Sequence, residues 1–304
     1  MREPVVIKVQ TILYELEDYA IIKFFNCIQV CSAPSEFRIV LHIGDCSKSP
    51  LLLPEALGFW TRELDKFGVD CHYTFFNENL GPSKGHNALF KELPIGDKLL
   101  IINPDTVFPP HLISRLNAFA DKQSDFGIVE ARQIPLEHPK DFDPESFVTS
   151  WAVTCCCLFN VEAFKAVEGF DETFFMYCDD VDISWRIRAK GYEVYYCIDT
   201  FIYHAKRLTA NGIEVPRSEE YYGLINSMLL RTKYDRDKLN EPVLKWLRTC
   251  KDSLHRDALR EYRRLRKLVT PATKEEKKAA QFTPDGNFAH HRWYYRGVDE
   301  EASV

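Results

Sequence analysis

The 304-residue sequence lacks several patterns that would identify a membrane, nucleotide-binding, zinc-binding or secreted protein directly. No apolar run approaches the ~18 residues that a membrane-spanning helix needs, and the GxxxxGK[ST] spacing of a Walker loop is absent. The ten cysteines form no CxxC pair, which argues against a zinc site. The amino terminus shows no basic region followed by a cleavage site, so we expect a cytoplasmic protein with reduced cysteines. A net charge of −6 argues against nucleic acid as the main partner.

The composition is that of a globular protein, with 45% hydrophobic and 13% aromatic residues. Strand patterns at 5–13, 37–43, 69–76, 98–102 and 126–130 alternate with helix patterns at 16–28, 53–67, 84–91 and 110–120. This alternation predicts an α/β fold, with a mostly parallel central sheet flanked by helices. Ligands bind outside the carboxyl ends of the strands in such sheets. Asp45, Asn77, Asn103 and Asp105 all follow predicted strands, so we expect them to share one site.

The chain changes character after residue 235. We expect a main domain at 1–235 and a basic helical extension with an irregular tail at 236–304. A helix is predicted at 244–268, and the basic stretch 245–278 can rest on anionic lipid as a peripheral membrane contact. The alternative is a solvated helix that packs Leu247, Leu254 and Leu265 on the main domain.

Three carboxylates, Asp179, Asp180 and Asp182, crowd the start of a predicted helix at 179–190. Clustered like charges repel, so a fold keeps them only with compensation or for a functional gain. Asp182 and Arg186 are spaced for an ion pair along the helix, and we expect a structural role for Asp182. For Asp179 or Asp180 the sharper hypothesis is a general base, because nearby negative charge raises the proton affinity of a carboxylate.

Two loops and one histidine allow both a functional and an ordinary interpretation. Asp105, in an Asn-Pro-Asp sequence after a strand, can hold a divalent cation against a diphosphate, although these residues also favour turns. Lys84 lies between two glycines in NENLGPSKGHN and could meet a phosphate, but a plain strand-to-helix connection explains the glycines as well. His204 ends a predicted strand, and a lone histidine is more often structural than a metal ligand.

Taken in order, these segments resemble the family 2 glycosyltransferases of the GT-A fold, most closely their rhamnosyltransferase-like branch. The matching segments are IGDCS at 43–47, NLGPSKGHN at 79–87, NPD at 103–105, GFDETFFMYCDDVDISWR at 169–186, His204, and YYGLINSMLLRTKY at 221–234. The resemblance covers roughly residues 5–235. The carboxylate segment is specific, whereas the NPD element is weak by itself.

The resemblance implies a metal-assisted, inverting transfer of rhamnose or another hexose from a nucleotide-diphosphate donor to a glycan or lipid-linked acceptor. It implies that Asp105 and His204 hold Mg²⁺ or Mn²⁺ and that Asp180 is the general base. Asp179 stands where the family usually has Glu, so either of the two carboxylates could be the base. The residues that the resemblance assigns to donor binding are Asp45 at the base or ribose, Lys84, Asn87, Asn103 and Asp105.

Two departures from the family pattern affect this interpretation. Asn103 occupies the first position of the usual DxD, and TILYELED replaces the usual turn after the first strand. A non-catalytic sugar- or nucleotide-binding module on the same fold is an alternative, since fold does not fix function. A sugar nucleotidyltransferase is less favoured, because the first strand carries no Gly-rich signature with Arg or Lys.

Overall fold

The computed structural model describes residues 4–33, 35–138, 140–205, 208–209, 212–283 and 286–289. A seven-stranded sheet forms the centre of this part of the chain, in the order β3-β2-β1-β4-β6-β5-β7. Its strands are β1 (Val5–Leu13), β2 (Phe37–Asp45), β3 (Val69–Phe75), β4 (Lys98–Ile102), β5 (Phe126–Ile134), β6 (Cys156–Asn160) and β7 (Glu193–Tyr203). Only β6 runs antiparallel to its neighbours. The predicted mostly parallel sheet is therefore confirmed.

Helices connect the parallel strands, as the alternating pattern predicts. They are α1 (Asp18–Val30), α2 (Pro54–Asp65), α3 (Gly81–Glu92) and α4 (Leu112–Ala120) in the first half, followed by α5 (Val161–Ala166) and α6 (Asp179–Ala189). The five residues of β4 are all buried, because this short apolar strand lies in the middle of the sheet. The polar sequence that follows β4 is thereby fixed at the carboxyl edge of the sheet.

A second hydrophobic cluster lies beside α6 and joins the carboxyl-terminal part of the chain to the rest. After the short strands β8 (Leu208–Thr209) and β9 (Gly212–Ile213), the chain forms α7 (Arg217–Lys233), a 3₁₀ turn (Asp237–Asn240), α8 (Glu241–Thr249), α9 (Ser253–Leu265) and α10 (Lys274–Ala279). The cluster contains Trp151, Trp185 and Met228 together with Leu247 and Tyr262 of the extension. The extension therefore contributes buried apolar side chains to this core.

The extension differs from its prediction in two places. The single helix expected at 244–268 is two helices, α8 and α9, and α9 begins after Asp252, whose side chain accepts a hydrogen bond from the Leu254 N–H. A short helix, α10, starts with a Thr273–Glu276 capping box in the segment that we expected to be irregular. Residues 290–304 of the predicted tail lie outside the described residues.

Two expectations from composition can be compared with the described residues. No helix there is long and apolar enough to cross a membrane. All ten cysteines are free thiols and eight of them are buried, as expected for cysteines that behave as small apolar side chains.

Candidate active site

The Asn-Pro-Asp sequence forms a tight turn at the carboxyl end of β4. The Asn103 N–H donates to the Cys155 carbonyl at 2.9 Å, and the Thr106 hydroxyl donates to the Asn103 carbonyl at 2.6 Å. The first bond attaches the turn to the neighbouring segment, and the second closes the turn. The side chain of Asp105 remains 46% exposed and lines a cavity. Asp105 therefore presents its carboxylate from a rigid strand end.

His204 approaches the same turn from the end of β7. Its N–H donates to the Ile134 carbonyl at 2.9 Å, which continues the parallel pairing of β5 with β7 by one residue. The imidazole is buried, with Nε2 3.2 Å from Asp105 Oδ2 and Nδ1 2.6 Å from the amide nitrogen of Gln133. The ring is thus held at both nitrogens, and one of them faces the carboxylate of the turn.

An unusual backbone turn brings the carboxylate helix to the cavity. Tyr177 and Cys178 both adopt left-handed conformations, with φ of 71° and 61°, immediately before α6. Such conformations are costly for residues other than glycine and need support from the surrounding structure. Asn226 of α7 supplies it, because its side-chain amide donates to the carbonyls of Met176 at 2.7 Å and Tyr177 at 3.2 Å. This turn points the first residues of α6 towards the NPD turn.

Asp179 and Asp180 occupy the first two positions of α6 and both line the cavity. Asp179 Oδ2 accepts a hydrogen bond from the Ser83 hydroxyl at 2.8 Å, whereas Asp180 Oδ1 accepts one from the Val181 N–H at 2.9 Å. Burial raises the pKa of both carboxyls, and the negative charge of Asp179 raises the pKa of Asp180 further. The hydrogen bond from Ser83 opposes this shift at Asp179. The pKa values of both carboxyls therefore lie closer to neutral pH than those of ordinary aspartates.

Asp182, in the same helix turn, is fully buried and has different partners. Its Oδ2 is 2.7 Å from Arg186 Nε, while its Oδ1 is 2.7 Å from Lys233 Nζ and accepts from the Tyr234 hydroxyl at 3.0 Å. Lys233 also pairs with Asp171 at 2.7 Å. The predicted structural role of Asp182, with Arg186 as its partner, is confirmed by these contacts.

Gly81 allows α3 to come close to the aromatic segment that precedes α6. Its φ is +69°, and a Cβ at this position would lie 2.7 Å from the Phe175 carbonyl oxygen. Any larger side chain would therefore push the two segments apart. Gly81 itself lines the cavity described below. The close approach brings Ser83 within reach of Asp179.

One cavity of about 610 Å³ connects these elements. Its walls include five of the residues singled out from the sequence: Asn103, Asp105, Asp179, Asp180 and His204. The volume lies in the range of small-molecule and cofactor sites, which is ~300–1,000 Å³. The acidic helix and the NPD turn thus face one common space, although 74 positions separate Asp105 from Asp179 (179 − 105 = 74).

Asp45 is not part of the cavity wall. It is fully buried at the end of β2, where Oδ1 accepts from the Ser47 N–H at 2.9 Å. Oδ2 accepts from the Leu51 N–H at 2.7 Å and the Tyr73 hydroxyl at 2.5 Å. The carboxylate holds the loop after β2 in the structure, and its contact with a nucleotide remains a prediction.

Lys84 and Asn87 also lie away from the cavity wall. Lys84 is half exposed, and its Nζ is 3.8 Å from a carboxylate oxygen of Glu78. Asn87 is buried and exchanges two hydrogen bonds with the backbone of Phe170, each of 2.9 Å. Its amide therefore ties α3 to the loop before α6, and its contact with the donor remains a prediction. The donor contact of Lys84 remains a prediction.

Three residues that the sequence did not single out support the site: Ser83, Asn226 and Gln133. Ser83 and Asn226 lie within segments that resemble the glycosyltransferase family. The sequence therefore pointed to these segments, but it did not predict the hydrogen bonds of the two side chains. Gln133 carried none, because its partner His204 is 71 positions away. Long-range partners of this kind have no local sequence pattern.

The residues at the NPD turn fit a divalent cation that a ligand completes. Within the described ranges, no group of three or more His, Cys, Asp or Glu side chains could hold a metal ion. Asp105 and His204 provide one carboxylate oxygen and one imidazole nitrogen, which are common ligands of Mn²⁺ and related ions. Mg²⁺ is often bound by one or two carboxylates together with substrate phosphates. Two protein ligands at a cavity wall are therefore compatible with a cation held jointly with a diphosphate.

Comparison with solved structures identifies the fold. A mannosyltransferase from Pyrobaculum calidifontis, solved with GDP-Man and Mn²⁺, superposes with a TM-score of 0.55 at 15% identity, over 93% of this chain and 77% of that one. GalNAc-T7, solved with UDP, GalNAc and Mn²⁺, superposes with a TM-score of 0.61 at 11% identity, over 100% of this chain and 58% of that one. Identities this low show the fold alone, and that fold is the GT-A fold of glycosyltransferases, as predicted.

Sequence similarity adds a narrower likeness within this class, although no family model matches the chain. Rhamnosyltransferase WbbL of Escherichia coli K12 is 33% identical over 58 residues, which are 19% of this chain and 22% of that protein. The N-acetylglucosaminyl-diphospho-decaprenol L-rhamnosyltransferase of Mycobacterium tuberculosis is 34% identical over 64 residues, 21% of each protein. The chain thus matches about a fifth of the length of these curated relatives. The resemblance to rhamnosyltransferases is confirmed at this local level.

Proposed function

We propose that this chain is a glycosyltransferase that moves a sugar from a nucleoside-diphosphate donor to a hydroxyl of a glycan or lipid-linked acceptor. The observation that carries the proposal is the shared cavity, which is lined by Asp105 and His204 as well as by Asp179 and Asp180. A pair of cation ligands and a pair of carboxylates in one cavity are the groups that metal-assisted transfer with a general base needs. The GT-A fold and the rhamnosyltransferase relatives support the same reaction class.

Asp105 and His204 would hold Mg²⁺ or Mn²⁺ at the diphosphate of the donor. A cation there offsets the negative charge that develops on the departing nucleoside diphosphate. The two side chains come from the ends of β4 and β7, so the sheet itself fixes their separation. The protein thereby orients the diphosphate, and with it the anomeric carbon, relative to α6.

Asp180 is the side chain that we assign as the general base. Asp179 is the more buried of the two carboxylates and already accepts the Ser83 hydroxyl, whereas Asp180 is partly exposed in the cavity. In the proposed step the acceptor oxygen bonds to the anomeric carbon and its proton passes to Asp180. The bond from that carbon to the diphosphate breaks, and its electron pair leaves with the nucleotide. In-line attack of this kind inverts the anomeric configuration.

The raised pKa of Asp180 suits this role. A base whose pKa lies nearer the working pH accepts a proton from an alcohol more effectively than an ordinary aspartate does. Burial and the charge of Asp179 are the causes of the shift. The strained turn at Tyr177 and Cys178, supported by Asn226, aims this carboxylate at the cavity.

Rhamnose is the donor sugar that the relatives favour, and a lipid-linked saccharide is the acceptor class suggested by the decaprenol in the name of one of them. The cavity offers aromatic surface for sugar rings, because Phe175 and Tyr222 stack at 4.8 Å and both line it. Galactose, glucose and N-acetylated hexosamines are the other donors to compare.

The experiment is a donor screen followed by a turnover measurement. Nucleoside-diphosphate derivatives of rhamnose, galactose, glucose and N-acetylhexosamines are added with Mn²⁺, and the preferred donor is expected to raise the melting temperature by mass action. Nucleotide release from that donor should then require the cation and stop with EDTA. Asp105→Asn should weaken release strongly, whereas Asp65→Asn, at an exposed helix position, serves as the matched control.

Three outcomes would contradict the proposal. Donor binding without any nucleotide release would favour a non-catalytic binding module. Release of pyrophosphate from a sugar 1-phosphate and a nucleoside triphosphate would favour a nucleotidyltransferase. Full release in the presence of EDTA would remove the cation from the mechanism.

A further inference from the structure

Gln133 lies next to the proposed cation site and has no role in the mechanism above. It is buried near the end of β5 and lines the cavity, and its side-chain amide nitrogen is 2.6 Å from Nδ1 of His204. The opposite ring nitrogen, Nε2, is 3.2 Å from Asp105 Oδ2. The imidazole is therefore held between an amide on one side and a carboxylate on the other.

The orientation of the amide decides which ring nitrogen carries the proton. With the amide nitrogen towards the ring, Gln133 donates to Nδ1, so the proton of a neutral imidazole resides on Nε2 and is donated to Asp105. A ring in this tautomer has no lone pair on Nε2 to offer a cation. His204 then orients the Asp105 carboxylate without being a ligand itself.

With the amide turned over, the same residues have a different capability. Oε1 of Gln133 accepts from an Nδ1–H, and the lone pair of Nε2 faces Asp105. Two acceptors 3.2 Å apart repel each other unless a cation binds to both. Metal-binding histidines generally donate their second ring N–H to an oxygen acceptor, which fixes the tautomer and the ring orientation. This second orientation is therefore the one that allows His204 to be a ligand.

Nothing in the described part of the chain holds the amide in its present orientation through its other end. Gln133 Oε1 is buried, and no donor there reaches it. The contact with the imidazole is thus the main hydrogen bond that distinguishes the two orientations. A half-turn of one amide, with a proton moved from Nε2 to Nδ1 through solvent, exchanges the two states without a net gain or loss of protons.

We propose that Gln133 is a positioning residue that sets the tautomer of His204 and so determines whether His204 is a hydrogen-bond donor to Asp105 or a cation ligand beside it. The inference rests on the cation site of the proposed function, but it can fail independently of that function. The proposed exchange needs only the rotation of the Gln133 amide on β5, and the backbone does not have to move.

The first test uses the full chain, Cd²⁺ as a diamagnetic probe in place of Mn²⁺, and ring ¹⁵N spectra of His204 at about pH 8. In the EDTA-treated protein the proton is expected on Nε2, and on addition of Cd²⁺ as a diamagnetic ion it is expected on Nδ1. Gln133→Glu, whose ionised carboxylate can only accept, should place a proton on Nδ1 even without a metal. His204→Asn provides the assignment of the signals.

Mn²⁺ affinity, measured by electron paramagnetic resonance, supplies a second readout. Gln133→Met keeps the length of the side chain and removes the acceptor, and is expected to weaken binding about 10-fold or more. Gln133→Glu should bind at least as tightly as the natural chain. Gln10→Met is the matched control, because Gln10 is a buried glutamine that contacts the ring of His86 and not His204. Thermal unfolding of each variant separates loss of the fold from loss of the site.

The possible failures can be distinguished. If the natural chain binds Mn²⁺ and Gln133→Met binds it equally well, the inference is overturned and the cation site stands. The inference is also overturned if the proton stays on Nε2 when Cd²⁺ binds, because His204 would then not be a ligand of the ion. If the natural chain binds no Mn²⁺ either alone or with a nucleoside diphosphate present, both the cation site and the inference are overturned.

Discussion

The first turn of α6 presents the same residue type to two very different environments. On the side towards α7, Asp182 is surrounded by Arg186, Lys233 and Tyr234 at hydrogen-bonding distance. On the side towards the cavity, Asp179 and Asp180 receive hydrogen bonds from one hydroxyl and one backbone N–H. Three aspartates within four positions thus divide into one that anchors the helix and two that face the cavity.

The difference shows how the fold can tolerate a reactive pair of carboxylates. The ion pair of Asp182 with Lys233 fixes α6 against α7, and Lys233 also pairs with Asp171 in the loop before α6. The helix therefore keeps its position although its other acidic residues repel each other. At the cavity, burial raises the pKa of both carboxyls, and the charge of Asp179 raises the pKa of Asp180 further, although the charge of Lys140 opposes that rise. Functional sites commonly contain an unfavourable local arrangement, here adjacent like charges, for which the surrounding structure compensates.

The largest expected effect is on turnover in Asp180→Asn. The amide has the shape of the carboxylate but cannot accept a proton, so we expect the transfer rate to fall about 10²- to 10⁴-fold. Donor binding, measured by thermal shift with Mn²⁺, should be retained, because the change affects the chemical step. The unfolding temperature at neutral pH should stay the same or rise, since a raised pKa means that the buried charge destabilises the fold.

Asp179→Asn is the matched control for this experiment. It removes a neighbouring carboxylate and leaves the proposed base, so its loss of rate should be clearly smaller. Retained turnover in Asp180→Asn together with a large loss in Asp179→Asn would exchange the two roles.

The second effect is on stability in Asp182→Asn. Removing one partner of a buried ion pair leaves the other charge uncompensated, at a typical cost of about 3–5 kcal/mol. Here both Arg186 and Lys233 would lose a counter-charge. Urea unfolding should therefore show a much lower midpoint for Asp182→Asn than for Asp180→Asn. Equal midpoints would mean that the two sides of α6 do not differ in the way that the contacts indicate.

Much of this arrangement could be predicted from local sequence. The apolar strand before Asn103 and the alternation of strands with helices have characteristic periods, so the sheet and the NPD turn at its edge were predictable. The spacing of Asp182 and Arg186 predicted their ion pair. The carboxylates at the start of α6 stood out because like charges in one helix turn need a reason.

The rest depends on partners far away in the sequence. Asn87 exchanges hydrogen bonds with Phe170, 83 positions away, and the Tyr73 hydroxyl that occupies Asp45 is 28 positions away. Asn87 in the glycine-rich loop and Asp45 at a strand end both have the sequence pattern of ligand-binding residues, and in the structure both side chains form hydrogen bonds within the protein. The break between α8 and α9 was missed because its only local signal is Asp252, a single N-cap residue inside a basic helical pattern.

The smallest effect, and the finest test of the comparison, is a shift in the pH dependence of Asp179→Asn. The negative charge of Asp179 helps to raise the pKa of Asp180, so its removal should lower that pKa. Because the base must be deprotonated to act, the acidic limb of kcat/KM against pH should move to lower pH, by about one unit or less. Profiles of the natural chain, Asp179→Asn and the surface control Asp65→Asn supply the measurement. A limb that moves to higher pH, or does not move while turnover is still measurable, would show that the titrating base is not the neighbour of Asp179. In that case the two faces of α6 would differ in stability alone and not in chemistry.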